Sequence, residues 1–202
     1  MSSYSNFISD FPQRCEEILS RYFANAHKIN REVTLLLSVA TTGFVIPFER
    51  LRRQEKHSHP MGDRERFFQA ALRLDKILDQ NFLGSDFWPQ DDYGSWSYSD
   101  RVENHTREPD SWPELRALKP LGSGRQAKKI VAHLRNSLAH GNIITRGNPI
   151  ELLAFLSKPS EAPRFALLTV SPFDFYTFLM NWFAVLRELH IPSEIVDGEI
   201  AA

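Results

Sequence analysis

The stretch Ser123-Gly-Arg-Gln-Ala-Lys-Lys-Ile-Val-Ala-His-Leu-Arg-Asn-Ser-Leu-Ala-His140-Gly-Asn142 reads as a single helix with its own start and stop. Ser123 with Gln126 three residues on has the spacing of a capping box, and Gly141 supplies a C-terminal stop. Between them Ala127, Ile130, Val131, Leu134 and Leu138 recur at helical spacing, which predicts about four turns. Lys129, His133, Asn136 and His140 fall together on the other side, a polar face with two imidazoles. Arg135 lies at the edge of the apolar stripe, about 140° round the axis from His140 in a regular helix. The two cannot both point at one small group unless the helix end unwinds or a second copy of the helix completes the site.

Arg135-Asn136-Ser-Leu-Ala-His140, followed by Gly141-Asn142 and preceding a last helix, resembles the Arg-x4–6-His motif of the HEPN superfamily. Arg21/His27, Arg52/His57 and Arg53/His59 satisfy the bare spacing too. The Asn after the Arg, the small residues up to the His, the Gly beyond it and the capped amphipathic lead-in set Arg135/His140 apart. The resemblance implies a small all-α bundle that pairs so that two motifs face each other. It also implies RNA cleavage without a metal or other cofactor, in toxin–antitoxin or antiviral settings. An antitoxin or nucleotidyltransferase partner belongs to such settings. Other members act as catalytically silent modules binding a nucleotide, RNA or protein.

The chemistry fits the residue types. Cleavage by the neighbouring 2′-hydroxyl needs a base, a proton for the leaving 5′-oxygen, and positive charge for the five-coordinate transition state. Histidine suits the proton transfers and arginine's planar fork suits the phosphate. The expected roles are His140 as base or acid, Arg135 as phosphate clamp, and Asn136 orienting one of them. Lys129 and His133 are expected to bind flanking phosphates. Arg and His in a last helical turn are also favoured by the macrodipole, so a purely structural role is the alternative.

The 202 residues suit one domain, with 42% hydrophobic and 24% charged residues as in ordinary globular chains. A net charge of −1 excludes a broadly cationic nucleic-acid coat, leaving only a local basic patch. The single cysteine, Cys15, falls in an apolar stripe and is expected to be a buried free thiol. The N-terminus has no signal-like core, and the apolar run Val33 to Pro47, broken by Ser38, Thr41, Thr42 and Gly43, is read as too short to span a bilayer. A cytoplasmic protein is expected.

Upstream of the motif, periodicity predicts helices from Asp10 to about Lys28, from about Asn30 to Val45 with Pro47 kinking or stopping it, and from a cap at Asp63 to Phe82. The Arg50 to Asp63 segment, with Arg52, Lys56, His57 and His59, reads as a solvated loop; His57 and His59 lack further ligands at metal-site spacing. Residues 84–122 read as a long loop whose Phe87, Trp88, Tyr93, Trp96, Tyr98 and Trp112 either pin it to the core or stack on exposed bases. After the turn-rich Asn142 to Pro149, residues 150–170 predict a β-hairpin. Ser171-Pro172-Phe173-Asp174 opens a last, aromatic helix, and residues 193–202 form a tail. The expected architecture is all-α: an up-and-down bundle of about five helices with a small hairpin inserted before the last.

Overall fold

The computed structural model of the chain describes residues 8–52, 67–102, 112, 115, 118–158 and 165–189. Its helices are α1 (Asp10–Lys28), α2 (Glu32–Ala40), a π-helical turn (Thr41–Val45), α3 (Ile46–Leu51), α4 (Phe68–Leu78), α5 (Ala127–His140) and α6 (Pro172–Glu188). Five strands accompany them: β1 (Ser97–Val102), β2 (Lys119–Pro120), β3 (Ile143–Arg146), β4 (Leu152–Ser157) and β5 (Phe165–Val170). They form one antiparallel sheet in the order β2-β1-β5-β4-β3.

This corrects the expected all-α bundle: the fold is mixed α/β. The β4–β5 hairpin lies where the sequence placed it, with Leu153 opposite Val170 and Phe155 opposite Leu168. β3 adds to its outer edge from a segment that reads as turns, and β1 pairs with β5 from inside the long loop. Leu152 to Leu156 does not alternate because both faces of β4 are covered. Leu153 and Phe155 pack into the main helical core, while Ala154 and Leu156 join Val102, Trp112, Leu115 and Leu167 in a second cluster. A strand buried on both sides reads as a continuous apolar run.

The aromatic loop is pinned to the core. Phe87, Trp88, Trp96 and Trp112 are buried, and Trp96 meets Phe82 and Phe178 edge-on. The Asp174 carboxylate, in the first turn of α6, accepts from the backbone N–H of Ser95 at 2.7 Å and from its hydroxyl at 2.5 Å. Those four rings therefore present no surface on which a base could stack, whereas Tyr93 remains exposed. Ser171 caps α6 as its sequence predicts, accepting from the Asp174 N–H at 3.2 Å.

Pro47 does not stop the second helix. α2, the π turn and α3 run on as one helix, Glu32–Leu51, of 20 residues. By length and composition it could cross a membrane, so the run is not too short on that count; 56% of its most apolar window, however, is buried inside the fold. Proline lacks the N–H that would serve the carbonyl four residues back, which is Gly43's. The Trp182 indole N–H donates to that carbonyl instead, at 3.0 Å. The π turn is also where α1, α5 and α6 converge. A Cβ on Gly43 would stand 2.8 Å from both Cys15 Cβ and Phe183 Cε1. Cys15 is a buried free thiol in contact with Thr42 Oγ1 at 3.5 Å, and burial pushes its pKa up against that contact. π turns of this kind commonly mark positions where a helix must absorb a local conflict.

Candidate functional site

α5 begins at Ala127, later than the sequence suggests, so Ser123 and Gln126 do not form a capping box. Gln126 is the N-cap residue and makes no side-chain cap bond; the Ala127 N–H is satisfied by the Gln80 carbonyl at the end of α4, at 2.8 Å. The far end is a Schellman turn. Gly141 takes φ +67°, its N–H reaches the Leu138 carbonyl at 3.3 Å, and the Asn142 N–H reaches the Ser137 carbonyl at 2.9 Å. His140 is therefore the last helical residue and is exposed.

All five expected apolar positions of α5 are buried, and so are His133 and Ser137. The predicted polar face thus divides. Lys129 and His140 are exposed and Asn136 is partly buried, but His133 turns under β4. His133 Nε2 lies 2.8 Å from the Phe155 carbonyl and Nδ1 lies 2.8 Å from Ser157 Oγ. A carbonyl only accepts, so Nε2 carries the proton and the Ser157 hydroxyl donates to Nδ1. Burial lowers the His133 pKa to about 4, against the Phe155 hydrogen bond that raises it, with Arg125 adding a further lowering. This corrects the expectation that His133 faces outward to bind phosphates: the ring is buried, neutral and satisfied by the sheet.

Arg135 and Asn136 are brought together. Arg135 Nη1 donates to Asn136 Oδ1 at 2.6 Å, and Arg135 Nε forms a close ion pair with Glu49 Oε1 of α3. The second Glu49 oxygen pairs with Arg52 Nη2 at 3.2 Å. The Arg135 side chain is 12% exposed. Its burial lowers its pKa, the Glu49 charge opposes that shift, and Arg52 adds to it.

Among the described residues no hydrogen bond or ion pair joins His140 to Arg135, Asn136 or Lys129. The angular separation expected from helix geometry therefore persists in the single chain. His57 and His59 lie outside the described residues.

Glu49 escaped sequence reasoning, and Arg52 was read only as part of a basic loop whose place at the site the sequence left open. Their spacing, one helical turn, was visible as a local ion pair. Their link to Arg135 depends on α3 following the π turn against which α5 packs, and no local pattern encodes that.

The described arrangement offers a fixed cation at 12% exposure, a carboxylate and second cation beside it, and an unencumbered imidazole at the helix end. A family model described as HEPN pEK499 p136 matches residues 1–193. No curated protein and no solved structure matches the chain.

Proposed function

We propose, from the premise that this chain belongs to the HEPN family, that it is a homodimeric, metal-independent endoribonuclease held in check by a partner or trigger. The observation carrying the reading is the pairing of a held guanidinium with a free imidazole on one helix end: Arg135 tied to Asn136 and Glu49, His140 exposed.

In the proposed mechanism one His140 takes the proton of a ribose 2′-hydroxyl. The oxygen attacks the adjacent phosphorus, and the 5′-oxygen leaves with a proton from the His140 of the other copy. Arg135 neutralises the charge that builds on the non-bridging oxygens, its planar fork staying protonated throughout. The products are a 2′,3′-cyclic phosphate and a 5′-hydroxyl. Two copies are required because Arg135 and His140 of one helix diverge by about 140°. Lys129, exposed about three turns before His140 on the same side, binds a flanking phosphate.

The test is incubation of RNA with purified protein in EDTA, comparing wild type with Arg135→Ala and His140→Ala. Cyclic-phosphate ends, lost in both variants while they stay folded and dimeric, support the enzyme. A monomer in solution, or RNA left whole by a folded dimer across varied substrates and triggers, removes the reading.

A second reading, a catalytically silent HEPN module binding a nucleotide, RNA or protein, draws on one observation. Glu49 already neutralises Arg135, so the cation is occupied in the isolated chain. Under this reading His140→Ala leaves ligand binding unchanged and no cleavage is found.

A further inference from the structure

Glu49 stands between two guanidiniums, Arg135 Nε on one carboxylate oxygen and Arg52 Nη2 on the other. One carboxylate between two arginines leaves a net positive charge. It also leaves a surplus of donors: each guanidinium carries five N–H groups, while a carboxylate offers about four lone-pair sites. Asn136 Oδ1 takes one of the surplus. Among the described residues Arg52 Nε is buried and has no acceptor. A buried donor without an acceptor is costly, and an added acceptor beside it relieves that cost.

Side-chain exposure rises from 12% at Arg135 through 21% at Glu49 to 34% at Arg52, so solvent reaches this cluster from the Arg52 side. Arg52 itself follows the last residue of α3, its backbone held by an N–H bond to the Phe48 carbonyl at 2.9 Å. The cation is thus mounted on a fixed helix end.

We propose that Arg52 is a second phosphate-binding cation of this site, and that the Glu49 carboxylate is an internal occupant which an RNA phosphodiester displaces from between Arg52 and Arg135. A phosphodiester presents two charged non-bridging oxygens where the carboxylate presents its own two, and adds ester oxygens for the donors left over. Both guanidiniums can grip it with their forks. Glu49 serves meanwhile as a positioning residue that keeps the two cations together, offsetting their mutual repulsion, until the phosphate arrives. The inference rests on the ribonuclease reading for the identity of the anion, not for its place.

The experiment uses a pool of 2′-O-methylated single-stranded RNA, which offers phosphates but no attacking hydroxyl, with binding read by fluorescence anisotropy on the full chain. Arg52→Ala is expected to weaken binding about tenfold to a hundredfold, as loss of a charged hydrogen bond does. Arg135→Ala should weaken it comparably, and the double variant by less than the product. Arg52→Lys, which keeps charge without the fork, should fall between, and it carries the test should Arg52→Ala not fold. Glu49→Gln should strengthen binding and sharpen competition by inorganic phosphate.

Unchanged binding in Arg52→Ala, fully multiplicative losses in the double variant, or weaker binding in folded Glu49→Gln would each overturn the proposal. The two readings separate cleanly. Arg52-dependent binding without cleavage of unmodified RNA keeps the anion site and removes the nuclease. Cleavage whose KM ignores Arg52 does the reverse.

Discussion

Arg135 Nη1 and Asn136 Oδ1 meet at 2.6 Å although the two residues are chain neighbours on a helix, whose side chains ordinarily diverge. Glu49 of α3 holds the Nε side of the same guanidinium. The guanidinium is therefore held from two directions, and on the proposed ribonuclease reading its position does not have to be assembled during the reaction.

Removing one of these two holds should loosen the clamp without removing its charge. On the proposed ribonuclease reading, Asn136→Ala is expected to lower kcat of RNA cleavage about tenfold to a hundredfold, the cost of one charge-assisted hydrogen bond, with a smaller effect on KM. Steady-state kinetics on a labelled RNA check this. A wild-type kcat in Asn136→Ala would show that Glu49 suffices.

His133 should act on stability rather than on cleavage, and its effect should depend on pH. Its folded-state pKa, lowered to about 4, lies below the unfolded value of about 6.5. Between these values the unfolded chain binds more protons, so stability rises with pH there. The contribution is complete above about pH 6.5 and is lost as pH falls toward 4, amounting to about 3 kcal/mol. Urea unfolding of wild type and His133→Gln at pH 7.5 and 4.5 should show the gap between them shrinking at the lower pH. A gap independent of pH would mean that the ring titrates alike in the folded and unfolded chain.

Gly43→Ala is expected to destabilise the fold by about 1–3 kcal/mol, the usual cost of overpacking. The new methyl would stand 2.8 Å from Cys15 Cβ and from a ring carbon of Phe183, neither the loose end of a flexible chain. Thermal or urea unfolding measures it. An unchanged midpoint would show that α1 can withdraw from the π turn freely.

Gly141→Ala should cost less, about 1–2 kcal/mol, for a different reason. A Cβ there meets nothing within 4 Å, so the penalty is backbone strain alone at φ +67°. Because His140 precedes the turn, the proposed RNA cleavage should change little per folded molecule. A large loss of cleavage at full stability would show that the turn positions His140 as well as ending the helix.

The motif helix was legible because its signals are local. Apolar residues three and four apart, a Gly after His140 and a proline-led Ser cap at Ser171 each act within a turn or two of chain. The β1 and β3 strands were not legible: Ser97 to Val102 and Ile143 to Arg146 carry little alternation, and they are strands because β5 and β4 offer edges to pair with. The polar face of α5 was read correctly as exposed at Lys129 and His140, yet His133, on the same face by spacing, lies under β4 of a sheet that no helix-only reading anticipates. The aromatic loop left two readings open, and packing against Phe82, Phe178 and Trp182 closed the question for its buried rings.

By itself the sequence determined where α5 begins to repeat and where it ends, the family to which the chain belongs, and the placing of Arg135, Asn136 and His140 within one helix end, since helical spacing and end chemistry are properties of neighbouring residues. Only the tertiary structure decided that Arg135 meets Glu49 and Arg52, that His133 is sealed beneath β4, and that a sheet lies against the helices. Those outcomes depend on which surfaces come to face each other, and burial and charge pairing act between segments far apart in the chain.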